Sequence, residues 1–203
     1  MADLSSDQGV VAAILAGDRA AFAGLVDRHH PTMVRVAGTI TGSASIAEEV
    51  AQETWLAVLE GLARFEGRSS LRTWLFRILV NRARTRAQRE SRNVTFGSFE
   101  DEDGPVDADR FDERGYWRAP PERWAITPES VVADRQLVDQ VERAIAQLPE
   151  RQRTVLVMRD VNGWSSEEVR NVLDLSETNQ RVLLHRARAK VRSALEPHLA
   201  SRR

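Results

Sequence analysis

Ser165–Leu195 reads SSEEVRNVLDLSETNQRVLLHRARAKVRSAL. Its first four residues, Ser165-Ser166-Glu167-Glu168, form a capping box, in which a Ser hydroxyl and a Glu carboxylate satisfy each other's free backbone N–H groups. The short helix this box opens carries Val169, Val172 and Leu173 on its apolar side. Asp174-Leu175-Ser176 is a tight connection, with Ser176 as the next N-cap, and a longer basic helix then runs to about Leu195, followed by Pro197. A short helix, a three-residue connection and a longer basic helix make the helix-turn-helix pattern. On the longer helix Arg181, His185, Arg188 and Arg192 share one face, while Leu184, Ala187, Val191 and Leu195 share another. Its first turn offers Glu177, Thr178, Asn179 and Gln180. In helix-turn-helix proteins that turn meets base edges while basic residues hold phosphates. The alternative is a surface helix of a bundle with solvated arginines.

Upstream, helical periodicity runs from near Val131 to Leu148. Pro149 sits where a new helix begins, Val155, Leu156 and Met158 continue it, and Asn162–Gly163 is a turn. The N-terminal third is also helical. Val10, Val11, Ile14 and Leu15 form an apolar stripe, and Asp18 is an N-cap for a helix with Phe22, Leu25 and Val26 inward. Pro31 opens a further helix ending at Gly42 and Ser43. Ser45 to Leu62 is a strong helix whose inner face is assigned to Ile46, Val50, Trp55, Leu56 and Leu59, with Glu48, Glu49, Gln52, Glu53 and Glu60 polar. A loop around Phe65 precedes a helix from Leu71 to about Arg89, where Arg77, Asn81, Arg84 and Gln88 share a face suited to single-stranded bases and their backbone. Trp74 on this helix reads as core. The fold class is therefore all-α, with two small helical domains over 1–92 and 135–203 joined by a linker over 93–134. That linker is acidic, contains prolines, and holds Phe96, Phe99, Phe111, Tyr116, Trp117 and Trp124.

The 203 residues include 29 basic and 30 acidic side chains, but they are segregated. Residues 66–92 carry eight Arg against two Glu, and residues 176–203 carry seven basic against two acidic side chains. Between them, residues 93–134 carry eleven acids against four Arg. Two basic segments flanking an acidic one give the electrostatic footprint of nucleic-acid binding twice over. A flexible anion of this kind can fold back on its own basic faces, enter a positively charged nucleic-acid channel of a partner, or serve as a solvated tether. There is no cysteine, which excludes a disulfide scaffold, a Cys-type zinc site and a thiol nucleophile. The longest apolar run, Val10–Ala16, is far below the ~20 residues of a membrane span, and no basic residue precedes Arg19 as a signal peptide requires. A cytoplasmic location follows as the expectation.

Enzyme readings find no support. Adjacent His29 and His30 point about 100° apart on a helix and chelate one metal poorly. No Gly-rich phosphate loop or nucleophile elbow is present, so neither metal nor cofactor is expected.

The stretch Ala47–Arg89, AEEVAQETWLAVLEGLARFEGRSSLRTWLFRILVNRARTRAQR, resembles region 2 of sigma-70 family factors of the extracytoplasmic function group. The stretch Leu148–Leu195, LPERQRTVLVMRDVNGWSSEEVRNVLDLSETNQRVLLHRARAKVRSAL, resembles region 4 of the same group. This resemblance implies a factor that binds the clamp and flap regions of core RNA polymerase and recruits it to promoter DNA. Region 2 would open the −10 element and region 4 would read the −35 element. By position, Glu49, Gln52 and Glu53 fall on the polymerase-binding helix. Phe65, Arg68, Ser69, Ser70, Arg77, Asn81, Arg84 and Gln88 fall where the −10 strand is held. Thr178, Asn179, Gln180, Arg181, His185, Arg188 and Arg192 fall on the −35 helix. Members are commonly held inactive by an anti-sigma factor, which the resemblance adds to the partners. In many members the recognition helix resembles SEGTVKSRLHRAR, so Thr178, Asn179, Gln180 and Leu183 are departures and the −35 sequence does not carry over. A helix-turn-helix regulator acting without the polymerase is the main rival, and an adaptor using the linker is another.

Overall fold

The computed structural model describes residues 6–93 and 135–200, with side chains over 6–90 and 137–196. The described residues hold eight α-helices and no strand. The linker's aromatic and acidic residues lie outside them. The helices are α1 (Asp7–Leu15), α2 (Arg19–Thr41), α3 (Ala44–Gly61), α4 (Leu71–Asn93), α5 (Arg135–Ala146), α6 (Glu150–Leu156), α7 (Ser166–Leu173) and α8 (Glu177–Ala200). They group into two compact units. One contains α1–α4 together with Val157–Ser176, and the other contains α5, α6 and α8. Among the described residues no helix is long and apolar enough to cross a membrane.

In the first unit α2, α3 and α4 pack mutually. Met33, Val36 and Ala37 of α2, Val50 and Val58 of α3, and Leu75, Phe76 and Leu79 of α4 are fully or almost fully buried. Each of the larger side chains contributes roughly 1.5–3 kcal/mol relative to exposure. Side-chain caps define the starts: Asp18 accepts from the N–H groups of Ala20 and Ala21 (2.9 and 3.0 Å), and Ser43 caps α3. Asp7 reaches across from α1 to accept the Leu71 N–H at 2.6 Å, tying down the start of α4.

Two sequence expectations fail here. Pro31 does not open a helix but lies inside α2. It removes one hydrogen bond, yet Leu25 before it and Met33, Val36 and Ile40 after it all reach the same core, and that burial outweighs the break. Leu56 and Leu59 do not face inward on α3, where Ala47, Val50, Ala51, Thr54, Trp55 and Val58 form the buried stripe. Trp74 is half-buried, its ring set edge-on against Phe65 with centroids 5.5 Å apart.

The same unit includes the chain from Val157 to Ser176. Val157–Val161 forms a π-turn, closed by the Asn162 N–H donating to the Val157 carbonyl at 2.9 Å. Gly163 follows with φ +68, a conformation that favours glycine. Ser165 and Glu168 make the expected capping box. The free oxygen of the Glu168 carboxylate pairs with Arg72 of α4, whose guanidinium also lies 4.3 Å over the Trp164 ring. Trp164 meets Phe76 edge-on at 4.6 Å, and both are buried. Arg72 and its cap partner hold the Glu168 carboxyl below its ordinary range, against the opposing pull of burial. Burial, with Arg28 and Arg72 adding to it, lowers the pKa of nearby His29.

In the second unit α5 and α6 pack against α8. Leu183, Leu184, Ala187 and Leu195 of α8 are buried, as are Ala144, Val155 and Leu156 in the partner helices. The last helix continues past Pro197 to Ala200 rather than stopping before it.

Candidate nucleic-acid and polymerase interface

The α3 surface that carries Glu49, Gln52 and Glu53 is exposed along its length. These residues and Leu56 recur at helical spacing and form one stripe. Glu49 pairs with Arg86 at 3.0 Å and Glu53 with Arg82 at 3.5 Å, both arginines coming from α4. Such exposed pairs are worth at most about 1 kcal/mol, so a competing partner can displace them. Gln52 donates to Glu48 at 3.1 Å. Leu56 sits within this polar stripe and is 64% exposed. The sequence signal was present, since a large apolar residue shares a helical stripe with three polar ones. Behind the stripe Trp55 donates through Nε1 to His30 Nδ1 at 3.2 Å, and His30 Nε2 meets Glu48 at 3.1 Å. That relay fixes α3 against α2 and uses His30 structurally.

The loop residues have separate duties. Phe65 is half-buried against Trp74. Arg68 is exposed and paired with Glu66 at 2.9 Å. Ser69 is half-buried, and the Ser70 hydroxyl accepts the Thr73 N–H at 3.1 Å while donating to the Thr73 hydroxyl at 2.9 Å. Ser70 therefore works as the cap of α4. On α4 itself Arg77, Asn81 and Gln88 are exposed. They offer a guanidinium fork and two amides, which can hold a phosphate and both donor and acceptor edges of a base. Arg84 is half-buried, and its guanidinium donates to the Leu173 carbonyl at 3.5 Å.

At the helix-turn-helix, Asp174 adopts the left-handed conformation with φ 57 and ψ 53, ending α7 and allowing the three-residue connection. Thr178, Asn179, Arg181 and Arg188 on α8 are exposed, and His185 and Arg192 are half-buried. Arg181 pairs with Glu177 at 3.0 Å, one turn earlier. Burial, assisted by Arg188, lowers the pKa of His185. Gln180 is the correction: it is buried to 2% exposure and does not face solvent. Its position explains this, because Gln180, Leu184, Ala187 and Val191 follow one helical stripe, and that stripe is the buried one. Among the described residues no group of His, Asp or Glu is arranged to hold a metal ion.

Residues 25–93 match the sigma-70 region 2 family model, and residues 139–191 match the sigma-70 region 4 model. The chain is 30% identical over 169 residues to a probable RNA polymerase sigma factor of Haemophilus influenzae, covering 82% of this chain and 86% of that protein. It is 29% identical over 199 residues to the ECF RNA polymerase sigma-E factor of the same organism, covering 97% and 99%. Its fold is similar to that of the sigma factor RpoE of Bartonella quintana, solved in complex with the anti-sigma factor NepR. The TM-score is 0.59 at 17% identity, over 86% of this chain and 96% of that one. With both regions present in order and relatives aligned along nearly the whole length, the chain belongs to the extracytoplasmic function group of the sigma-70 family of RNA polymerase sigma factors.

Proposed function

We infer that this chain is an alternative sigma factor, which binds core RNA polymerase and directs promoter-specific initiation. The observation that carries this is the pairing of region 2 and region 4 on one chain, in that order. A helix-turn-helix regulator independent of the polymerase has no use for the region 2 helices. The domains run over 1–92 and 135–203, with 93–134 as a linker entering the polymerase's nucleic-acid channel. Glu49, Gln52 and Glu53 dock on the polymerase clamp, and Leu56 supplies an apolar anchor among them. Region 4 engages the flap.

Arg77, Asn81, Arg84 and Gln88, with Phe65, Arg68 and Ser69, hold the opened −10 strand. Extruding a base costs a few kcal/mol, which such contacts must offset. Thr178, Asn179 and Arg181 read −35 base edges in the major groove, and His185, Arg188 and Arg192 follow the backbone. An anti-sigma factor holds the protein inactive in the cytoplasm until its signal arrives. Reversing Glu49 and Glu53 to Arg tests the docking face. Core-polymerase affinity should fall at least tenfold while helicity is unchanged, and undiminished affinity would refute the assignment.

A further inference from the structure

Among the described residues five large apolar side chains are exposed, and Val182 is the one that lies on the basic last helix. It is 40% exposed. Gln180, Leu183, Leu184, Ala187 and Leu195 form the buried stripe of α8. Val182 follows Gln180 by two residues, so it stands about 200° around the helix axis from it, at the crest of the opposite face. Thr178, one turn earlier, is exposed on that crest as well. Arg181 beside it is exposed and pairs with Glu177 at 3.0 Å, while His185 and Arg186 follow one turn later.

Helix formation does not account for a valine here. A β-branched side chain loses rotamer freedom in a helix, and straight-chain residues serve an exposed position better. Core packing does not account for it either, because the side chain points away from the stripe that α8 buries. The major groove of DNA does. A groove about 12 Å wide admits an α-helix, so that flanking cations reach phosphates and the crest meets the base edges. Every base pair offers hydrogen-bond donors and acceptors there, and valine can satisfy none of them; covering one leaves it unpaired. The single apolar group on the groove floor is the C5 methyl of thymine. Thr178, with a hydroxyl and a methyl, suits either kind of edge, whereas Val182 suits only the methyl.

We propose that Val182 is a specificity-determining residue, packing its exposed side chain on the C5 methyl of a thymine and so requiring an A·T pair, in one orientation, at one position of the −35 element. This role rests on α8 being the −35 helix. It divides the readout on α8 by chemistry: Arg181 answers to a hydrogen-bonding edge and Val182 to a methyl group.

Selection from a random duplex library, by holoenzyme assembled from the full chain and core polymerase, yields the −35 site. Each thymine of that site is then replaced in turn by deoxyuridine, which deletes the methyl and leaves base pairing and every other groove atom in place. With the parent chain one such replacement should weaken binding about fourfold, the worth of one buried methyl-sized group. With Val182→Ala that loss should vanish and selection at the same position should relax, while preferences at the other positions persist. Val182 is exposed, so the variant should keep the parent's helicity. A site with no fixed thymine, a parent indifferent to every deoxyuridine, or an equal loss in the Val182→Ala chain would overturn the role. If the chain does not bind core polymerase, the sigma-factor reading fails, and the same selection and replacements with the full chain alone decide the role of Val182 by the same outcomes.

Discussion

Leu56→Ala separates a docking face from a merely solvated one. Leu56 is 64% exposed on α3 and shares its stripe with Glu49, Gln52 and Glu53. Full burial of a leucine side chain is worth roughly 1.5–3 kcal/mol, and about two-thirds of this one remains to be covered by a partner. Truncation should therefore remove about 1–2 kcal/mol of binding, a five- to thirtyfold weaker Kd. Folding should be nearly untouched, since exposed substitutions stay within about 0.5 kcal/mol and Ala favours the helix. Titrating labelled full-length protein with core polymerase gives the Kd, and urea unfolding gives the stability. Leu15→Ala is the control, because Leu15 is also exposed, at 54%, but lies on α1 away from the stripe. A Kd within twofold of the parent, or an equal loss in the Leu15 variant, would remove Leu56 from the docking face.

Arg181→Ala should cost about 1–3 kcal/mol and relax preference at one base pair, while Arg192→Ala should weaken all sequences alike and flatten the salt dependence; identical uniform losses in a binding-site selection would remove Arg181 from base readout. Asn81→Ala should leave polymerase binding intact and impair strand opening, which permanganate footprinting reads directly; normal opening would exclude the role. His29 has a pKa lowered by burial, so below its ordinary 6.5 the unfolded chain takes up a proton that the folded chain resists. Stability should fall as pH drops through 6.5 and level off once the folded form is also protonated. His29→Gln should flatten that slope in urea titrations between pH 8 and 5, leaving the part due to His185, whose pKa shifts the same way. A slope unaltered by the substitution would place the titrating group elsewhere.

The helix-turn-helix was legible because its signals are local. Ser165 and Glu168 are three residues apart, and the connection at Asp174 needs only a short polar residue that tolerates the left-handed region. The caps at Asp18 and Ser43 were legible for the same reason. Sidedness was harder. Leu56 and Gln180 each occupy a position where residue type and helical phase disagree, and phase decides burial. Pro31 was misjudged because its local penalty is visible in sequence while the core that overrides it is assembled from three helices. Contacts such as Arg72 with Glu168 join residues 96 apart, and nothing in a single sequence encodes that pairing.

Transcription with purified full-length protein, core polymerase and genomic DNA fragments decides whether this chain directs initiation. Discrete transcripts should start at a small set of promoters and vanish when either the protein or the core polymerase is omitted. Start sites should share a −10 and a −35 sequence. Duplex binding by the protein alone, with a transcript pattern no different from that of core polymerase without it, would contradict the account.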